Sequence, residues 1–136
     1  MKHIIAEIRA LIAEESVTTY FVDVPEKPSF PYVLVWASPG REVTSSLSGD
    51  DDHISDIIGL TYVAELPESV LDLAAVVRPL VRRARLDLGG FVAWLRPHDS
   101  QPVDMDRSVS LPGGGNPAFA VDLLRVISDG QPLGSS

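Results

Sequence analysis

The side chains able to do chemistry in this 136-residue chain are few and far apart. Its histidines, His3, His53 and His98, have neither the i, i+4 helical spacing nor the carboxylate setting of a zinc enzyme, and surface histidines are the simpler reading. The densest set of oxygen donors is Asp50, Asp51 and Asp52, followed by His53 and Asp56, a composition suited to a hard cation such as calcium or magnesium. The run lacks the alternating ligand spacing and closing glutamate of a calcium loop, so a solvated loop is the primary reading and a small metal-binding module the secondary one. The serines near Gly49 and Gly113 sit in no G-x-S-x-G elbow and in no glycine-rich phosphate loop. With no cysteine there is no disulfide framework, thiolate zinc site or cysteine nucleophile, a pattern suited to a reducing cytoplasm. The residues therefore point away from an enzyme, and imply neither cofactor nor metal.

What remains is chemistry of contact. Arg78, Arg82, Arg83 and Arg85 form a cationic group where a helix would end, and helix carbonyls favour cations there. They suit either a solvated helix end or a salt-bridging surface between subunits. An acidic chain with a basic patch can associate head to tail. Arg41, Glu42, Asp50, Asp51 and Asp52 lie in or beside a long polar loop that could reach a neighbouring molecule. Trp36 and Trp94 have apolar neighbours and read as core or interface packing. The net charge of −8, from 11 basic and 19 acidic residues, repels phosphate and excludes sequence-specific nucleic-acid binding or a polybasic membrane surface.

These residues need elements to position them. Ile4, Ile5, Ile8, Leu11 and Ile12 share one helical face and predict a helix over residues 3 to 15. Glutamate and arginine among them exclude a secretory signal or membrane span. The threonine, aromatic and valine content from Val17 to Val24 predicts a strand. Pro25, Pro28 and Pro31 make a stiff extended connection to a second strand beginning near Tyr32. Residues 39 to 53 predict a long surface hairpin or loop. His53 to Glu65 alternates with apolar residues on both faces, as a central strand does. Pro67, suited to a first helical turn, begins a helix with a stripe of Val70, Leu73, Val77, Leu80, Val81 and Ala84, ending by about Asp87. Pro79 predicts a kink or break near Arg78. Strands are expected at residues 91 to 96 and 118 to 128, with a short one at Val103 to Leu111 and a turn at the glycines 113 to 115.

The order predicts an α+β domain over residues 1 to 128, followed by a flexible tail at 129 to 136. A mixed or mainly antiparallel sheet would carry two helices packed on one face, and its other face or edges would be left for a partner.

Several strings together resemble a known family. They are the opening amphipathic helix, VPEKPSFPYVLVW, the serine-rich loop before a long strand, PESVLDLAAVVRPLV, the Ser100 to Asp104 segment and PAFAVDLLRVIS. From about Ile4 to Ser128 the chain resembles the tail terminator, or tail completion, proteins of long-tailed bacteriophages. The resemblance implies a virion protein of the tail and neck, made in the host cytoplasm. It implies a ring of this chain, a hexamer, that caps the tail tube, ends its elongation and presents a docking surface to the head-side connector. Its partners would be other copies of itself, the major tail tube protein and the connector or stopper protein, with DNA passing through the lumen without sequence-specific contact and no membrane involved. A head-to-tail stopper or connector subunit of the neck is the neighbouring alternative.

Overall fold

The computed structural model describes residues 2–37, 41–42, 54–82, 84–87 and 92–128, with side chains placed for 4–37, 57–82, 84–87 and 92–127. Helix α1 (Lys2–Ala13) precedes strands β1 (Thr18–Phe21), β2 (Tyr32–Ala37), β3 (Arg41–Glu42) and β4 (Ile54–Ala64). Helix α2 (Pro67–Val81) follows, and then β5 (Arg85–Asp87), β6 (Val92–Met105) and β7 (Ala118–Ser128) complete the sheet. The sheet order is β1-β2-β4-β7-β6-β5, with β3 paired to the outer part of β4. The β1–β2 pair is parallel and the others are antiparallel, so the fold is α+β with a mixed, mainly antiparallel sheet.

One face of this sheet carries both helices. Its inward positions are Val33 and Val35, Ile58, Leu60, Tyr62 and Ala64, Leu86, Ala93 and Leu95, and Ala118, Ala120, Asp122, Leu124 and Val126 of β7, all buried. They pack against Ile4, Ile5, Ile8 and Ile12 of α1 and Val70, Leu73, Ala74, Val77 and Val81 of α2. Fully burying one such aliphatic side chain contributes about 1.5–3 kcal/mol. The periodicity of both helices is thus accounted for by a single apolar layer. Arg9 ties α1 to the sheet edge, donating from Nε to Thr19 Oγ1 at 3.1 Å and from Nη2 to the Thr19 carbonyl at 3.3 Å.

Helix α1 and strand β1 end earlier than expected, at Ala13 and Phe21 in place of residue 15 and Val24, and three larger differences lie further on. Helix α2 runs unbroken through Pro79 to Val81 and stops there, while Arg85–Asp87 is strand rather than helix. The proline is tolerated because it sits in the last turn. Its ring removes the bond that the Ala75 carbonyl would accept, and both residues lie on the exposed side of the helix, where the loss is cheaper than in the core. The chain then turns at Arg82, whose extended ψ of 126° ends the helix while its N–H still bonds the Arg78 carbonyl.

The third difference is β6, which continues to Met105 in place of a separate strand at Val103 to Leu111. Two bulges, between Pro97 and Asp99 and between Gln101 and Asp104, absorb the prolines of a segment too polar to read as strand. Residues 106 to 117 form an ordered hairpin loop. Its backbone bonds run from Asp106 N–H to the Pro117 carbonyl (2.8 Å) and from Leu111 N–H to the Gly115 carbonyl (2.9 Å). Gly114 and Gly115 take positive φ of 96° and 82°, a conformation glycine adopts without steric cost.

Candidate functional site

The helix-free face of the sheet is the candidate interaction surface, and strand alternation builds it. Along β2, β4 and β7 the residues that do not face the helices are Tyr32, Leu34 and Trp36, Ile57, Gly59, Thr61 and Val63, and Phe119, Val121, Leu123, Arg125 and Ile127. Most are apolar and only partly buried, in contrast to the polar outer face expected of a half-solvated antiparallel sheet.

Trp36 and Gly59 are direct cross-strand partners. A Cβ on Gly59 would fall 2.0 Å from Trp36 Cε2, so the indole lies flat on the backbone of β4 where only glycine leaves room. The indole N–H donates to Thr61 Oγ1 at 3.0 Å, which fixes the ring along the strand.

At the other end of this face, the proline-rich segment and the hairpin loop rise on either side of the sheet and enclose an open groove of about 1160 Å³. Pro25, Pro28 and Phe30 form one wall, Val109, Leu111 and Pro112 the other, and Leu34, Val63 and Phe119 the floor. The first wall is held by the Tyr20 hydroxyl, which accepts from Ser29 N–H at 3.1 Å, and by rings packed in series, Tyr20 on Tyr32 (5.2 Å) and Phe30 on Tyr32 (5.6 Å). Burial, with Asp106 and Tyr20 nearby, raises the Tyr32 phenol above its ordinary pKa and keeps it neutral. The groove has aromatic and proline walls and is mostly apolar, with Glu26, Lys27, Glu65, Asp104, Asp106 and Arg107 also in its lining, a mixture that sites holding a partner by shape commonly have.

Under the opposite, helix-covered face lies the polar centre of the domain. Asp122, 6% exposed, takes four hydrogen bonds. Tyr62 Oη (2.6 Å) and Arg78 Nε (2.7 Å) donate to Oδ2, while Arg78 Nη2 (2.9 Å) and Ser100 Oγ (2.7 Å) donate to Oδ1. Burial alone would raise the carboxyl's pKa. The bonds from Arg78, Tyr62 and Ser100 outweigh it and lower the pKa, so the group is ionised. Burial and the bond to this carboxylate raise the pKa of the Tyr62 phenol, and the Asp122 bond raises that of Arg78. Every lone-pair direction of the carboxylate is engaged. This arrangement fastens α2 to β4, β6 and β7.

The arginine group named from the sequence is divided by the structure. Arg78 turns inward, and its charge is met by Asp122 of the same chain rather than held out for a neighbour. Arg82 caps α2 and is exposed. Arg85 stands on β5 beside Trp94, on the helix-free face. Arg83, Asp50, Asp51, Asp52 and the loop from 43 to 53 lie outside the described residues, as do the glycines 89 and 90 and the tail 129 to 136. Arg41 and Glu42 form β3, paired with Ser55 and Ile54 of β4, which places the loop's first arm on the sheet. His98 is exposed at a bulge. Among the described residues no three histidine or acidic side chains gather around a point where a metal would sit, and no helix is long and apolar enough to cross a membrane.

Sequence reasoning missed Asp122. Its signal was one acidic residue at a core-facing position of PAFAVDLLRVIS, where the alternation of residues 118, 120, 124 and 126 is otherwise wholly apolar. A charge there requires a buried cation or several donors. The groove left no comparable signal, because its walls come from segments about 80 residues apart that alternation does not relate.

No protein-family model matches the chain. No curated protein matches it either.

Proposed function

We propose that this chain is a structural subunit of a phage tail, forming a ring of its own copies that caps the tail tube, ends its elongation and receives the head-side connector. The observation that carries this reading is the one-sided architecture. Both helices cover one sheet face, while the other carries half-buried apolar residues, two tryptophans and an apolar groove, a surface whose burial by a protein partner is favourable. The only buried charged residue among those described, Asp122, is consumed in holding elements together, which fits a part made for contact rather than turnover. The net charge of −8 suits a channel wall past which DNA slides without sticking. In this reading the chain is a virion protein of the tail and neck, made in the host cytoplasm.

The test is assembly of tail tubes with and without the chain. Tubes that overgrow in its absence, and rings at tube tips in its presence, support the reading. Tubes of normal length without it overturn the terminator role. If such tubes also fail to join heads, the chain is instead a stopper of the neck.

A further inference from the structure

On β6 and β7, Arg96 and Arg125 are direct cross-strand partners on the helix-free face, both exposed. Like charges directly opposite each other destabilise a sheet. Neither guanidinium has an acidic partner among the described residues, although the chain is strongly acidic overall. The next row along the strands holds Trp94 beside Ile127, the latter 39% exposed. This is a basic patch with an apolar border.

On the far side of the molecule, α2 turns a stripe of the opposite character to solvent. Glu68 and Asp72 lie one helical turn apart, a like-charge spacing that is itself unfavourable, and Leu71 beside them is 61% exposed. The first two turns of α2 carry no basic residue; Arg78 and the exposed Arg82 come only at its C-terminal end. The two patches match in charge and both carry exposed aliphatic groups. They lie on opposite sides of the sheet, the one on its bare face and the other on the outside of the helix layer, so they cannot meet within one copy.

We propose that the Arg96 and Arg125 patch of one copy docks on the Glu68, Leu71 and Asp72 stripe of α2 in the next. Two different surfaces joined in this way make a heterologous contact, which propagates from copy to copy and closes into a ring when the rotation permits. The inference rests on the self-association in the proposed function and deepens it by naming both surfaces. It also removes two like-charge oppositions at once, because each arginine gains a carboxylate on assembly.

The chain has no cysteine, which permits a clean test. A chain carrying both Leu71→Cys and Ile127→Cys, exposed to a mild oxidant in solution and on tube ends, is expected to give a ladder of covalent trimers and larger species. Either single variant should stop at dimers. Arg96→Glu with Arg125→Glu should weaken self-association measured by sedimentation by about tenfold or more. Mixing that protein with Glu68→Arg/Asp72→Arg, which places complementary charges on both contacts, should restore it. A wild-type chain that associates while the paired cysteines give no ladder and the charge reversals change nothing overturns the surface assignment and leaves the ring standing. A chain that is monomeric in solution and absent from tube ends overturns the ring, and this contact with it.

Discussion

Arg78 and Asp122 are 44 residues apart and form a two-pronged pair, Nε to Oδ2 at 2.7 Å and Nη2 to Oδ1 at 2.9 Å, that joins the last turn of α2 to the middle of β7. The planar fork of arginine matches the two carboxylate oxygens, a geometry lysine cannot reproduce. The arginine side chain is 39% exposed and the aspartate 8%, so the carboxylate is the partner with most to lose from separation.

Asp122→Ala is expected to cost about 3 kcal/mol, because it strands the Tyr62 hydroxyl in the core and leaves Arg78 without its anion. Arg78→Ala should cost less, about 2 kcal/mol, since Tyr62 and Ser100 still donate to the carboxylate and water reaches the vacated side. Urea denaturation of the two variants beside wild type measures both. Equal or reversed costs would show that the network does not centre on the aspartate.

The same network sets an acid limb. The folded pKa of Asp122 lies below that of the unfolded chain, so its stabilisation is fully present above the unfolded carboxylate value, near 3.9, and is lost as pH falls through the folded value. Asp122→Asn removes this dependence, and its melting temperature should fall less steeply than wild type below about pH 4. The raised pKa of the Tyr62 phenol acts at the other end. Its stabilisation is whole below the unfolded phenol's value near 10 and is lost as pH rises toward the folded one, so Tyr62→Phe should flatten the alkaline limb.

Gly59→Ala should displace the Trp36 indole from β4, since the new methyl would clash with the ring at Cε2 and Cζ2. A cost of about 2 kcal/mol is expected from overpacking, together with a red shift in tryptophan fluorescence as the ring moves toward water. In a Trp36→Ala background the glycine substitution should cost little, and a double-mutant cycle gives the coupling.

Pro79→Ala restores an N–H that the Ala75 carbonyl can accept in a helix that is already continuous, and should stabilise the domain by about 1 kcal/mol. A loss of stability would mean that the proline's rigidity in the unfolded chain outweighs the missing bond.

These expectations divide along the same line as the fold itself. The apolar face of α1, the start of α2 at Pro67 and the strands at Tyr32 and Ile54 were legible because each depends on residues within one turn or one pleat of each other. The end of α2 was not, because the solvent exposure of Ala75 and Pro79 decides how much a proline disrupts, and exposure belongs to the whole molecule. The extent of β6 was hidden for a related reason. Its outer half is polar and interrupted by prolines, and it is held as strand by pairing with β7 through two bulges.

By itself, then, the sequence determined the α+β class, the acidic balance of charge and which residues of each element are apolar, all consequences of composition and local periodicity. Only the tertiary structure decided which arginine is spent inside the domain and which stand outside it. Arg78 meets Asp122 because α2 crosses the sheet above β7, and Arg96 faces Arg125 because of the β6–β7 register. Such pairings depend on how distant strands align, a long-range matter that no spacing along the chain encodes.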